Sequence, residues 1–469
     1  MIMRIFFSTL VVLGLIMVSN SAFGRNDYPL TPPDSTSNII EKGTAQYLIA
    51  EGRRIFNEGQ YRVALVKFRE ALVKDKGNAL ATYWVGECHK ALGNYEKAIG
   101  YAEEAIAKDP EVDKEYGYLL GVCYHRLAKL DKAIEMYQKC KSMVKETRAK
   151  ELMLDFLIAQ CERAKEMMEN PRQVKITNMG MNINSAFDDY SPTISPDGKT
   201  FYFTSRRADN KGGGVNPDDQ RYFEDIYVSF WDEEKNQWTE AVNSDDLLRR
   251  VNTKGFDAVT HISPDGKYMY VTINTMAMDK PKPKTKHSDI FLCRMNNRGG
   301  WNSPKNIGKP INSIWFDALA SVTADESTMY FISERKGGYG NGDIWSSTKV
   351  GKDWGKPVNL GATINTKGQE TTVYVTPDEK YLFFSSDRHE GIGGYDVYVC
   401  KNQDGQWSDP VNLGYPINTV SDETHFIYLP EQKKGYYTTF SSSENKGVGA
   451  RDIFEVDMSN YEFNFPDPE

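Results

Sequence analysis

Over residues 43–171, apolar residues return every three or four positions. From Val174 onward they alternate with polar ones in short runs broken by turn clusters. The switch predicts a helical half followed by an all-β half, an α+β multidomain chain. In the helical half one pattern recurs. Gly59-x-Tyr61-x-x-Ala64-x-x-x-Phe68-x-x-Ala71 returns 34 residues later as Gly93-x-Tyr95-x-x-Ala98-x-x-x-Ala102-x-x-Ala105. A third copy, Leu130-x-x-Ala133-x-x-x-Tyr137-x-x-Cys140, is shifted by a further 35. Asp109-Pro110 closes the second copy, because proline lacks an N–H and clashes with the preceding turn. Small residues (Ala50, Gly86, Gly121, then Ala64, Ala98, Ala133) are expected to let paired antiparallel helices approach, with Tyr and Phe filling the gaps between pairs. One amphipathic helix over residues 147–170, stopped by Pro171, is expected to cap the stack.

The β half repeats one sentence five times. Its turns are Ser195-Pro196-Asp197-Gly198-Lys199, Ser263-Pro264-Asp265-Gly266-Lys267, Thr323-Ala324-Asp325-Glu326-Ser327, Thr376-Pro377-Asp378-Glu379-Lys380 and Leu429-Pro430-Glu431-Gln432-Lys433. Each third strand opens on an aspartate, Asp225, Asp289, Asp343, Asp396 or Asp452, at spacings of 64, 54, 53 and 56. Four strands in about 55 residues is a propeller-blade period, so five blades are expected. Trp354 to Asn365 and Trp407 to Asn418 share a fourth-strand pattern that Val174 to Asn184 also carries, although no blade precedes it. That segment is expected to complete the last blade as its outer strand, against residues 452–457, and so to remove the exposed edges of an open ring.

The 34-residue motif resembles the tetratricopeptide family over about residues 44–141, which implies a groove that receives a peptide or helix. The β motif resembles the PD40 (WD40-like, TolB-type) propellers over about residues 174–458. The expected organisation is a signal peptide at 1–24, a linker at 25–42, tetratricopeptide repeats with a capping helix at 43–171, a propeller at 172–460 and a tail at 461–469.

The N-terminus argues export. Arg4 precedes an apolar run from Ile5 to Val18, and Ser19-Asn20-Ser21-Ala22-Phe23-Gly24 suits cleavage. No other run approaches transmembrane length, so no transmembrane segment is expected after cleavage. A net charge of −8 argues against nucleic acid. The six cysteines fall at packing positions of helices and strands and are read as buried free thiols.

Candidate chemistry is sparse. A carboxylate stands seven residues before the second position of every turn: Asp189, Asp257, Asp317, Glu370 and Glu423. These five are expected to ring one mouth of the central channel. Two readings stay open, a site for a cation or basic peptide and a set of internal hydrogen-bond acceptors that hold the blades. Arg206, Arg335 and Arg388 in the loops before the third strands are expected to pair with nearby carboxylates. The long first loop, Arg207 to Glu224, and the basic insert Met278 to His287 break the repeat and are the better candidates for specificity. There is no Gly-x-Ser-x-Gly, no His-Glu-x-x-His and no Cys/His cluster with zinc spacing. The expectation is a non-enzyme without cofactor or metal; a hydrolase or lyase at the acidic mouth is the remaining catalytic reading.

The order of leader, tetratricopeptide repeats and PD40 propeller resembles the PorE-like envelope proteins of the type IX secretion and gliding apparatus of Bacteroidota. There the propeller is followed by a carboxypeptidase-regulatory-like module and an OmpA-like domain. Residues 461–469 show neither, and no lipobox cysteine is present, so the resemblance implies neither peptidoglycan anchoring nor membrane attachment. It implies a periplasmic scaffold or adaptor, free or associated with the outer membrane, with protein partners at the tetratricopeptide groove and one propeller face. A receptor for carbohydrate or peptidoglycan fragments is the alternative.

Overall fold

The computed structural model describes residues 35–216, 219–243, 245–274, 288–440, 445 and 447–465. The expected signal peptide and the insert Met278 to His287 lie outside the described residues.

Three helical hairpins stack: α1 (Ser35–Asn57) with α2 (Tyr61–Lys74), α3 (Ala79–Ala91) with α4 (Tyr95–Lys108), and α5 (Tyr116–Arg126) with α6 (Leu130–Met143). Helix α1 begins at Ser35, so residues 35–42 are helix rather than linker. No proline follows Pro33 to prevent this. The residue that permits close approach in the first hairpin is Gly52, not the exposed Ala50. Gly52 stands 34 residues before Gly86, which keeps it in register. A Cβ on Gly52 would lie 2.7 Å from the Phe68 ring, and one on Gly121 would lie 2.5 Å from the Tyr137 ring. The capping segment is two helices, α7 (Glu146–Glu151) and α8 (Leu154–Glu169), broken at Met153 with φ 54. In one straight helix Ala149 and Leu154 would point about 140° apart. The break lets both join one buried cluster with Tyr137 and Cys140 of α6.

The β half forms five antiparallel sheets. A lone strand, β1 (Lys175–Asn178), comes first. Blade one then holds β2 (Asp189–Ile194), β3 (Thr200–Ser205), β4 (Asp225–Asp232) and β5 (Gln237–Trp238). A four-residue helix, α9 (Asp245–Leu248), leads to blade two: β6 (Phe256–Ile262), β7 (Tyr268–Asn274), β8 (Asp289–Arg294) and β9 (Lys305–Asn306). Blade three has β10 (Asp317–Val322), β11 (Thr328–Ser333) and β12 (Asp343–Val350), with two short outer strands at Asp353–Trp354 and Val358–Asn359. Blade four repeats this at Glu370–Val375, Tyr381–Ser386, Asp396–Gln403, Gln406–Trp407 and Val411–Asn412. Blade five has Thr424–Leu429, Lys434–Phe440 and Arg451–Asp457, and β1 completes it.

The closure follows the sequence expectation: Lys175 pairs with Asp457 and Asn178 with Phe454. A second closing contact comes from residues read as a tail. Trp301 of blade two packs on Tyr202 of blade one at 6.2 Å, and Trp407 of blade four on Tyr330 of blade three at 5.8 Å. Blade five has no such tryptophan. Phe463, 11 residues after Asp452 as Trp407 is 11 after Asp396, stacks on Tyr381 of blade four at 4.8 Å. Tyr461 donates its hydroxyl to the Leu413 carbonyl at 2.9 Å and fixes the approach.

All six cysteines are buried and unpaired. Burial pushes the thiols of Cys88, Cys123, Cys161 and Cys293 up to about 12, which suits packing rather than thiolate chemistry. Among the described residues, no helix is long and apolar enough to cross a membrane.

Candidate binding surfaces

The five repeated carboxylates sit at the start of the innermost strands or just before them, and all have zero exposure. Each is held by the serine or threonine four residues earlier. Ser185, Ser313 and Thr419 each donate both backbone N–H and hydroxyl, at 2.6–2.8 Å, to Asp189, Asp317 and Glu423. Thr253 and Thr366 do the same for Asp257 and Glu370. The second strand adds a hydroxyl from Ser333 to Asp317, Ser386 to Glu370 and Thr439 to Glu423. The carboxylates therefore tie the incoming connection to the two inner strands of their own blade. To bind a ligand they would have to surrender these bonds in a site closed to water.

Charge compensation differs between blades. Arg335 reaches Asp317 at 2.7 Å, as its spacing suggests. In blade one the equivalent is Arg207, 3.1 Å from Asp189, while Arg206 pairs with Asp219 in its own loop at 2.7 Å. Blade four departs further. Arg388 lies over Phe156 of α8 at 5.9 Å, and its nearest carboxylate is Asp387 at 4.0 Å. His389 takes over the bond to the Ile364 carbonyl, where Arg207 and Arg335 reach Ile183 and Ile311. Without an arginine, burial pushes Asp257 and Glu423 up to about 8 and Glu370 to about 7.

The third-strand aspartates are equally internal. Asp343 accepts from Tyr339 N, Gly340 N and Asn359 Nδ2, and so fixes its glycine loop to the outer strand. Asp396 accepts from Ile392 N and Gly393 N in the same way. Asp225 and Asp289 take the amides of Asn243 and Asn306. Asp452 takes Asn178 Nδ2 at 2.8 Å, so the closing strand carries its own half of the clasp. A second asparagine brackets the following backbone in every blade: Asn365 bonds both N and O of Ile344, and Asn184 both N and O of Ile453. Sequence reasoning used these asparagines to mark the fourth strand and gave them no role. Their signal was present as pairs six apart, Asn178/Asn184, Asn306/Asn312, Asn359/Asn365 and Asn412/Asn418.

The largest feature hidden from sequence reasoning is the junction between the two halves. The blade-four loop Gly391-Ile392-Gly393-Gly394 enters the end of the helical array. Ile392 is fully buried in one cluster with Leu130, Tyr137, Leu154 and Cys161. His125 Nε2 donates to the Ile392 carbonyl at 2.9 Å, Gln160 to Gly393 at 2.6 Å and Arg163 to Gly391 at 3.2 Å. Arg126 donates to the Val420 carbonyl and pairs with Asp422, both at 3.0 Å. Burial works against Asp422, but Arg126 and Arg451 outweigh it and hold its carboxyl below the usual range. Burial likewise pushes His125 down to about 4, so its imidazole is neutral and keeps one N–H for Ile392. A Cβ on Gly394 would collide with both Asp422 and Arg126. The junction is therefore an extension of the core.

Several concavities open among the described residues. A cleft of about 980 Å³ runs beside the junction, between Tyr95, Arg126 and Met168 of the array and Tyr437 and Phe440 of blade five. The turn-side mouth of the channel holds about 380 Å³, walled by Ile194, Ile262, Tyr374 and Leu429 with His261 at its side. A third, of about 940 Å³, lies between blades one and two. The long first loop is largely self-satisfied: Tyr227 donates to Asp209, Arg221 pairs with Asp188, and Lys211 Nζ donates to the Arg249 and Asn252 carbonyls. Asp218 of that loop lies outside the described residues. Among the described residues no group of His, Cys, Asp and Glu is arranged to hold a metal ion.

Comparison with known proteins places the helical half. The family model described as anaphase-promoting complex, cyclosome, subunit 3 matches residues 57–140. The small glutamine-rich tetratricopeptide repeat-containing protein 2 of Saccharomyces cerevisiae is 26% identical over 136 residues, 29% of this chain, and the match covers 38% of that relative's length. Among solved structures, the Yersinia enterocolitica type III secretion chaperone SycD, in complex with a peptide of the translocator YopD, is 18% identical; the match spans 26% of this chain and 95% of that one, at a TM-score of 0.24. The Arabidopsis OM64 TPR domain is 13% identical, over 26% of this chain and 98% of that one, also at 0.24. The chain thus carries a tetratricopeptide-type helical array ahead of a five-bladed β-propeller.

Proposed function

We propose that this protein is an exported, non-catalytic adaptor of the cell envelope that holds two sets of protein partners at a fixed separation. The observation that carries the reading is the junction. A helical array of protein-binding type and a propeller share one buried cluster through Ile392, so surfaces on the two halves keep one geometry. Export rests on Arg4 and the apolar run that follows it. The non-catalytic reading is supported by the five repeated carboxylates, whose oxygens are already bonded within their own blades. Membership of a type IX secretion or gliding apparatus rests on the order of the array and a PD40-type propeller.

The test is affinity capture with the mature full-length chain from cross-linked envelope extract of the parent organism, alongside fractionation of that organism. The expected result is recovery in the periplasmic or outer-membrane fraction with stoichiometric envelope proteins. A cytoplasmic location, or no stoichiometric partner, contradicts the reading. A second reading, a receptor for a cell-wall sugar, draws on the turn-side mouth, where Tyr374 and the unpartnered Nε2 of His261 border a space of about 380 Å³. Co-sedimentation with purified cell wall separates the two.

A further inference from the structure

The connection from blade one to blade two departs from its siblings. Between the paired asparagines the other blades have six steps, as in Asn306 to Asn312 and Asn359 to Asn365; here Asn243 to Asn252 has nine. The extra residues form α9 and the pair Arg249-Arg250. This wall is anchored. Leu248 and Val251 are fully buried, Trp301 N donates to the Leu247 carbonyl at 3.1 Å, and Lys211 Nζ donates to the Arg249 carbonyl at 2.7 Å. The opposite wall is the turn after β8. Gly300 there packs so closely that a Cβ would lie 3.0 Å from the Asp246 carbonyl.

Between the walls lies the groove of about 940 Å³, with Arg249 and Arg250 on one side and Arg294 and Arg298 on the other. All four are exposed, and none forms an ion pair with a described carboxylate. Asp246 is the one described acidic residue in the lining. In a chain with 65 acidic and 57 basic residues, four guanidiniums in one concavity, without an ion pair among the described side chains, run against composition. Their mutual repulsion is relieved by an anionic occupant.

We infer that this groove docks an acidic polypeptide segment of a partner protein, an inference that deepens the adaptor reading and rests on it. Guanidinium forks donate paired N–H bonds to carboxylates in bidentate fashion. Asn296, Asn297 and Asn302 add amides suited to the backbone of an extended chain. A flat anionic membrane does not fill a concavity of about 940 Å³. Single-stranded nucleic acid needs aromatic platforms, and the one aromatic in the lining, Trp301, is 2% exposed.

The experiment measures fluorescence anisotropy of a labelled short Glu/Asp-rich peptide with the full chain across a salt series. Saturable binding that weakens with salt is expected. The double variant Arg249→Glu/Arg298→Glu should weaken it by about tenfold or more. Arg249→Lys/Arg298→Lys should lose less, and Lys352→Glu on blade three should change nothing. Absence of saturable binding, indifference to the charge reversal, or tighter binding of oligothymidylate or phosphatidylglycerol vesicles overturns the inference. If captured envelope partners persist in the Arg249→Glu/Arg298→Glu variant while the peptide fails to bind, the groove assignment falls and the adaptor reading stands. If capture also fails in the unmodified chain, both fall.

Discussion

The loops before the third strands of blades three and four share a backbone and do different work. Asp343 and Asp396 cap them with the same pair of N–H bonds, from Tyr339 and Gly340 in one and Ile392 and Gly393 in the other. Gly340 and Gly393 are pressed against neighbouring backbone in the same way. Yet Tyr339 is 52% exposed and Ile392 is fully buried under the helical array. The repeat fixes where the loop goes; single side chains decide whether it meets solvent or a second domain. Ile392 supplies the apolar knob. Gly394, which is Asn341 in blade three, makes room for Arg126, and Arg388 leaves its usual place for Phe156.

The largest effect expected comes from breaking that difference. Ile392→Asp places an unpaired carboxylate in the shared cluster and should cost on the order of 3–5 kcal/mol. Tyr339→Asp at the equivalent position should stay within about 0.5 kcal/mol. Thermal unfolding of the two variants side by side checks this, and equal losses would remove the distinction between the loops. Next, Arg126→Ala strands the shielded Asp422 and should cost about 3 kcal/mol, with the Asp422 pKa rising in an NMR titration. Phe463→Ala asks whether blade five needs a substitute for its missing tryptophan; a loss of about 2 kcal/mol in chemical denaturation is expected, and no loss would make the contact incidental.

The smallest effect is electrostatic. Asp317 in blade three has Arg335, whereas Glu423 in blade five has only hydroxyls and an N–H, and burial holds its pKa at about 8. A carboxyl raised above its unfolded value near 4.3 binds its proton more tightly in the folded state. Its contribution is therefore lost as pH rises toward about 8. Buried His125 and His261, held at about 4, oppose this below pH ~6.5, where the unfolded imidazoles protonate. Above that, stability should fall from pH 6.5 to 8.5, and Glu423→Gln should flatten the fall by about 1 kcal/mol in differential scanning calorimetry.

Much of this was legible in the chain. The 34-residue helical motif, the repeated third-strand aspartates and the orphan strand at Lys175–Asn178 identify the folds, the blade number and the mode of closure, because each is local and repeated. What escaped depends on contacts between distant segments. Phe463 resembles a tail until its 11-residue offset from Asp452 is seen to point at Tyr381. The break at Met153 follows from Ala149 and Leu154 sharing one core, which no local propensity announces. The role of Ile392 was invisible because the partners His125 and Gln160 lie more than 200 residues away. The five carboxylates stand out in the sequence as a repeated feature, but the Ser/Thr that binds each one becomes meaningful only in three dimensions.

The cluster buried around Ile392 requires the array and the propeller to move as one body. Pulsed electron-electron resonance between spin labels at Val73→Cys and Val350→Cys tests it directly. Both positions are exposed, whereas all six native cysteines are buried and should stay unlabelled. The expected result is a single narrow distance distribution that broadens with Ile392→Asp and not with Tyr339→Asp. A broad distribution in the unmodified chain would contradict it.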